Sequence, residues 1–153
     1  MPIKQVVRIF ENAYGKEWQK NFKEINLYPF AAASIGQVHE AVLIDGTRVA
    51  LKIQYTGISN SIDSDLDNFK MLVDVLGIFP RGLYIDELIN VSRLELHDEC
   101  DYEREASYQM RYHNSCIVSP LKYYTPRVIP HMSNKEILCT EFVDGVEIDT
   151  LMD

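Results

Sequence analysis

The stretch that most constrains this chain runs from Pro29 to Gln54, PFAAASIGQVHEAVLIDGTRVALKIQ. Val38, Ala41, Val42 and Leu43 lie on one side of Asp45-Gly46, and Val49 to Ile53 on the other. An Asp-Gly pair between apolar, β-prone runs specifies a hairpin. Ahead of it, Ala31-Ala32-Ala33-Ser34-Ile35-Gly36 is a turn with almost no side chain. Such a turn lets backbone N–H groups approach an anion, although a lone small-residue turn is more often just a tight bend. Lys52 on the last strand is by itself an ordinary edge lysine; the turn and the lysine on one hairpin say more together.

Around this centre the chain alternates helical and extended patterns. Residues 1–28 read as a helical extension: Ile3, Val6, Val7, Phe10, Tyr14, Trp18 and Phe22 recur at three- and four-residue steps, with a break expected near Gly15. After the loop and hairpin of 29–54, a second helix is expected over 59–79. Its apolar face is Ile62, Leu66, Phe69, Val73 and Leu76, and Asp63, Asp65 and Asp67 crowd its first turns, where acids complement the helix dipole. Gly77, Pro80 and Gly82 end it. A third helix is expected over 85–113. Its segment Leu94 to Ala106 is a charge run of the kind usually found on a solvated face, but Asp101 and Glu105 share a face. Cys100, Tyr102 and Ala106 interleave with the acids, so both sides of this helix should be in contact with something. From Pro126 the strand pattern returns over Arg127 to Pro130 and Glu136 to Phe142, and the chain closes on residues 143–149. The expectation is one α+β domain: a small antiparallel sheet of about five strands with inserted helices.

Charge and composition exclude several functions. With 153 residues a single domain can bury a real core. The formal net charge of −8 makes nucleic acid and anionic membrane poor partners, and any nucleotide site needs locally positive potential. Cys100, Cys116 and Cys139 are too widely spaced for a metal pair or a disulfide framework, and no metal ligands are expected. No apolar run reaches the roughly 18 residues of a membrane span, and the opening MPIKQVVRIF lacks the character of a transit peptide.

Four motifs, in order, carry a resemblance. Ala31 to Val38 fits the kinase nucleotide loop G-x-G-x-x-G-x-V, with Ala31 and Ala33 replacing the first two glycines, and Val49-Ala50-Leu51-Lys52 resembles the V-A-I-K strand. Glu99-Cys100-Asp101-Tyr102 with Glu105-Ala106, and Thr140-Glu141-Phe142-Val143, complete the set. The chain resembles the N-terminal lobe of the UbiB/ADCK family of atypical, protein-kinase-like proteins, of the mitochondrial coenzyme-Q type, with residues 29–153 as that lobe.

The resemblance implies a set of roles. Ala31, Ala32, Ala33, Ser34 and Gly36 form an alanine-rich loop over the phosphates of ATP or ADP. Val38 and Ala50 border the nucleotide, and Lys52 contacts the phosphates with Glu105 as its carboxylate partner. Thr140 is the gatekeeper behind the adenine, and Glu141 and Val143 belong to the hinge. Glu99 and Asp101 resemble a regulatory E-x-D element. Residues two apart on a regular helix point roughly 160–200° away from each other, so Glu99 and Asp101 can face one site only through a local distortion or long reach. By the same resemblance the location is the matrix side of the mitochondrial inner membrane, and the partners are coenzyme-Q biosynthesis proteins or lipids.

The departures matter equally. The sequence has no K-x-G-Q segment, no H-R-D catalytic loop followed by asparagine and no D-F-G; Asp144-Gly145 falls at the hinge. Those parts position the nucleophile and hold Mg²⁺ in kinases, so Mg²⁺ is expected only together with a C-terminal lobe. Three readings follow: the nucleotide-binding lobe of a longer ATP-dependent protein, a non-catalytic binding module, or an α+β domain with no nucleotide site. The first predicts an apolar surface left bare where the second lobe belongs, and poor solubility.

Overall fold

Alternation along two central strands sets the layout of the computed structural model, which describes residues 1–77, 84–117 and 123–146. In β3 (Gly36–Leu43) and β4 (Arg48–Gln54) successive side chains point to opposite faces. Gln37, His39, Ala41 and Leu43 of β3, with Val49, Leu51 and Ile53 of β4, are buried on one face. The strands pair antiparallel from Gly36↔Gln54 to Val42↔Arg48. The expected Asp-Gly turn joins them: Gly46 takes φ 92°, and the Thr47 N–H donates to Asp45 Oδ1 at 2.8 Å.

The sheet has five strands, as expected. β5 (Ile137–Glu141) pairs antiparallel with β4. β1 (Phe22–Ile25) and β2 (Ala31–Ala33) pair with opposite ends of β3, giving the order β1-β3-β4-β5 with β2 beside β3. α1 (Ile3–Tyr14) covers the buried face. There Val6, Ile9, Phe10 and Trp18 close over Leu51, Ile53, Ile137 and Cys139.

The N-terminal region differs from the expected helical extension. The break falls at Gly15 as expected, where φ is 85° and α1 stops at Tyr14, but no second helical piece follows: a single 3-10 turn covers Trp18–Asn21, and Phe22 opens a strand instead of closing a helix. The helical spacing of Tyr14, Trp18 and Phe22 reflects a shared core rather than a shared helix. Their rings surround Phe10 at centroid distances of 5.9, 4.9 and 5.9 Å.

The second helix, α2, spans Ile58–Leu76 and ends on Gly77 in the left-handed conformation; Pro80 and Gly82 lie outside the described residues. Its acids do not serve the dipole. Asp63 and Asp67 receive the Arg93 guanidinium of the next helix at 2.5 and 2.7 Å, and His97 lies 3.3 Å from Asp63.

The expected single helix over 85–113 is two helices. α3 (Ile85–Cys100) ends at Asp101, which has φ −89° and ψ 80°, and α4 (Tyr102–Ile117) begins immediately. Asp101 caps α4, its Oδ1 accepting from the Arg104 N–H at 2.9 Å. The break turns Tyr102 and Ala106 onto the second face of the sheet. They form a small core there with Ile35, Val128 and Leu138. The expected strand over Arg127 to Pro130 reduces to one bridge, Val128↔Thr140. Pro130 has no N–H for a ladder and opens a 3-10 turn, Pro130–Met132. Residues 147–149 of the expected closing segment lie outside the described residues.

Candidate functional site

Strand register assembles the site. Val38, Lys52 and Leu138 stand in one row across β3, β4 and β5, and Ala50 and Thr140 stand in the next. Period-two alternation therefore presents all five on the face opposite α1. α4 crosses this face, and between helix and sheet lies a cleft of about 730 Å³ lined by those residues and by Glu105, Tyr108, Gln109, Tyr112, Thr125 and Pro126. Its walls are mainly apolar, with one ion pair at the rim.

That pair is Lys52 with Glu105. The ammonium donates to both carboxylate oxygens, at 2.9 Å to Oε1 and 3.0 Å to Oε2. The side chains are 27% and 39% exposed, so the pair is accessible from the cleft yet partly desolvated. Lys52 Nζ also lies 4.8 Å from the centroid of the Tyr102 ring. Tyr102 is fully buried, and its hydroxyl has no hydrogen-bond partner among the described residues. Burial, reinforced by the nearby Glu105 charge, pushes its titration upward, so the phenol stays neutral.

The alanine-rich stretch is a flap of sheet rather than an irregular cradle. Ala31, Ala32 and Ala33 are strand residues paired with Val38, Gln37 and Gly36, and only Ser34-Ile35 forms the turn. Gly36 is buried, and a Cβ on it would meet the Ile53 carbonyl oxygen at 2.3 Å. Its lack of a side chain is therefore already required by packing. The Ser34 hydroxyl donates to Glu99 Oε2 at 2.9 Å, joining the flap tip to the end of α3. On the far side of the Lys52–Glu105 pair, which borders both spaces, a recess of about 520 Å³ is lined also by Ser34, Glu95, Asp98, Glu99, Arg104 and Tyr108.

The hinge stretch is pinned from outside the cleft. The Glu141 carboxylate turns towards the segment before β5. There it receives the Arg127 Nε–H at 2.7 Å, the Tyr124 hydroxyl at 2.7 Å and the Arg127 backbone N–H at 3.1 Å. Arg127 and then Tyr124 hold it at about 2, below the ordinary carboxylate range. Asp144 pairs with Arg48 at 3.0 Å, and the Arg48 guanidinium lies 4.5 Å from the centroid of the Phe142 ring. Phe142 also meets Phe30 edge-on at 5.6 Å. Val143 is exposed.

Of the residues singled out from the sequence, Val38, Ala50, Lys52, Glu105 and Thr140 thus converge on one cleft. Ala31 to Ser34 and Glu99 stand at the flap, Asp101 serves as a helix cap, and Glu141 faces away. The sequence reading passed over Leu138, Tyr108 and Tyr112. Leu138 lies two residues before Thr140 on its strand, and the tyrosines follow Glu105 at helical spacing, so both periods pointed to them. Among the described residues no group of three or more His, Cys, Asp or Glu side chains is arranged to hold a metal ion.

A profile of the ABC1 atypical kinase-like domain matches residues 1–153. The chain belongs to the ABC1 atypical kinase-like family. It is 46% identical over 153 residues to the mitochondrial atypical kinase coq-8 of Caenorhabditis elegans, all of this chain against 20% of that protein. It is 39% identical over 153 residues to the mitochondrial atypical kinase COQ8B of Danio rerio, again all of this chain, against 24% of that protein. Against the mitochondrial COQ8 of Saccharomyces cerevisiae it is 38% identical over 148 residues, 97% of this chain and 29% of that one. The chain therefore spans less than a third of the length of these relatives. Among solved structures, Rv3197 of Mycobacterium tuberculosis, determined as a complex with erythromycin, superposes with a TM-score of 0.78 at 30% identity. That match covers 99% of this chain and 38% of the Rv3197 chain. This ABC1 domain is thus similar to a part of larger kinase-like proteins, and it has an α+β fold with a five-stranded antiparallel sheet.

Proposed function

We propose that this chain is the ATP- or ADP-binding N-terminal lobe of an atypical kinase-like ATPase supporting ubiquinone biosynthesis in mitochondria. One observation carries the nucleotide reading: the doubly hydrogen-bonded Lys52–Glu105 pair sits at the rim of an apolar cleft built by Val38, Ala50, Leu138 and Thr140. An apolar slot beside a single oriented cation suits a flat base linked to phosphates. Val38 and Ala50 would cover the base and Lys52 would hold a phosphate oxygen. Glu105 would keep the ammonium from swinging into solvent. Thr140 would limit the depth of the base, with the hinge backbone at Glu141 and Val143 pairing its edge.

The nucleotide supplies a transferable phosphoryl group when bound. This chain's own contribution is binding and orientation, since the H-R-D and D-F-G elements that would place Mg²⁺ and a nucleophile are not in its sequence. A C-terminal lobe is therefore the first partner proposed, and coenzyme-Q biosynthesis proteins or lipids the next. The mitochondrial address, on the matrix side of the inner membrane, rests on the relatives' names and the family resemblance.

The test is thermal unfolding with and without ATP or ADP. Millimolar nucleotide should raise the midpoint, because a ligand at about 100 times its Kd adds ~2.7 kcal/mol to the folded state. Lys52→Ala should unfold at nearly the native midpoint without nucleotide and lose the nucleotide-dependent rise. Equal rises in both proteins would sink the lysine's role; no rise in the native chain would sink the nucleotide reading for the isolated lobe.

A further inference from the structure

We propose that Tyr102 is the positioning residue of Lys52: its ring face is the platform that holds the ammonium against Glu105. Three observations meet on this residue. The Lys52 nitrogen lies 4.8 Å from the ring centroid, on the side where the π-system is electron-rich. Both carboxylate oxygens of Glu105 engage the same nitrogen, so ring and carboxylate together fix a cation that β4 alone presents on a flexible stem. The ring itself cannot drift, because Tyr102 is fully buried among Ile35, Ala106, Val128 and Leu138.

The hydroxyl explains how deep the ring sits. It makes no hydrogen bond among the described residues, and it ends 3.1 Å from where a Cβ on Gly36 would stand. The phenol therefore reaches into space left by the missing side chain of Gly36 and rests against the start of β3. A buried hydroxyl without a partner is unfavourable. Its placement here makes the ring's contact with Lys52, rather than a polar bond, the feature that accounts for an aromatic residue. The Ile35 turn of the flap and the lysine of β4 thus meet one aromatic ring carried by α4, an arrangement made possible by the helix break at Asp101. The proposal adds to the nucleotide reading a residue that does not itself line the cleft and acts through Lys52.

The experiment reads Lys52 directly. The 153-residue chain is acylated with a water-soluble N-hydroxysuccinimide ester, and Lys52 labelling is measured by peptide mass spectrometry against Lys20, which is largely exposed. Tyr102→Phe keeps the ring and should leave Lys52 labelling within roughly twofold of native, because the deleted hydroxyl has no partner. Tyr102→Met keeps the apolar bulk without a π-face, and should label roughly tenfold faster at Lys52. Should that variant fail to fold, phenylalanines of increasing fluorination at position 102 keep the shape while draining the ring face, and labelling should rise stepwise with fluorine count. Unchanged labelling in folded Tyr102→Met, or a flat fluorination series, overturns the proposal. A lowered melting temperature with unchanged Lys52 labelling does so too, leaving Tyr102 as core filling. None of these readouts needs nucleotide. Nucleotide-free labelling that shifts as stated, with no ligand-induced stabilisation, would remove only the function proposed above.

Discussion

Gly36→Ala tests the packing argument at the base of the flap. The new methyl carbon would stand 2.3 Å from the Ile53 carbonyl oxygen, 3.1 Å from the Ile53 carbonyl carbon and 3.1 Å from the Tyr102 hydroxyl. The first contact is to backbone, and no side-chain rotation relieves it. The ends of β3 and β4 must separate by about 1 Å to reach a tolerable carbon–oxygen distance. Overpacking of this kind costs about 1–3 kcal/mol. The movement also strains the Tyr55 N–H to Ile35 carbonyl bond of 2.9 Å beside it, adding about 1 kcal/mol if that bond is lost. A loss of about 2–4 kcal/mol lowers the midpoint of a chain this size by roughly 5–15 °C. Circular dichroism melts of Gly36→Ala and Gly145→Ala make the comparison. A Cβ on Gly145 meets nothing within 4 Å, so that variant should stay within about 0.5 kcal/mol of native. A Gly36→Ala melt that overlays the native curve would refute the packing account, and with it the claim that Gly36 is glycine for structural reasons before any ligand arrives.

Three further perturbations address other joints of the domain. His39 is fully buried, its Nδ1–H donating to the Asn26 carbonyl at 2.9 Å while Nε2 accepts from the Gln37 amide at 2.7 Å. Burial outweighs the Asn26 bond and holds its titration below the ordinary 6.5, so the unfolded state binds the extra proton. Urea-unfolding stability should therefore be full above about pH 6.5 and fall as the pH drops below it, and His39→Gln should flatten that slope. Glu141, ordinarily near 4.5, is held at about 2; its contribution should be complete above about pH 4.5 and disappear as the pH falls towards 2, an acid limb that Glu141→Gln should shorten. Asp101→Ala removes the cap of α4 and should cost about 1 kcal/mol by thermal or urea melts, whereas Asp101→Ser should retain most of it.

The legible parts of this domain are those fixed by local chemistry. The Asp-Gly turn, the alternation of β3 and β4 and the row containing Lys52 follow from period-two patterning, which needs no knowledge of what covers the sheet. Glu105 as the partner of Lys52 came through the family resemblance, and the geometry joins the two. What escaped was decided at a distance. Phe22 continues the helical spacing of Tyr14 and Trp18, yet it lies in a strand because Gly15 ends the helix and the rings regroup around Phe10. The break at Asp101 is likewise silent in the sequence. The segment LELHDECDYEREA has no glycine or proline, and every residue in it tolerates a helix. The helix divides there because Tyr102 gains complete burial against the sheet while Asp101 supplies a ready cap.

That division also settles how two acids of one charge run reach different parts of the site. At ~100° per residue, Glu99 and Glu105 on one straight helix would point ~120° apart, and a single orientation could not serve both. Ending α3 at Cys100 and starting α4 at Tyr102 lets each helix aim its own carboxylate. Glu99 from α3 takes the Ser34 hydroxyl at the flap tip, and Glu105 from α4 takes Lys52 in the sheet. The flap tip and the lysine are consequently contacted from two helices that meet at Asp101 and are tied by the Asp98–Arg104 ion pair.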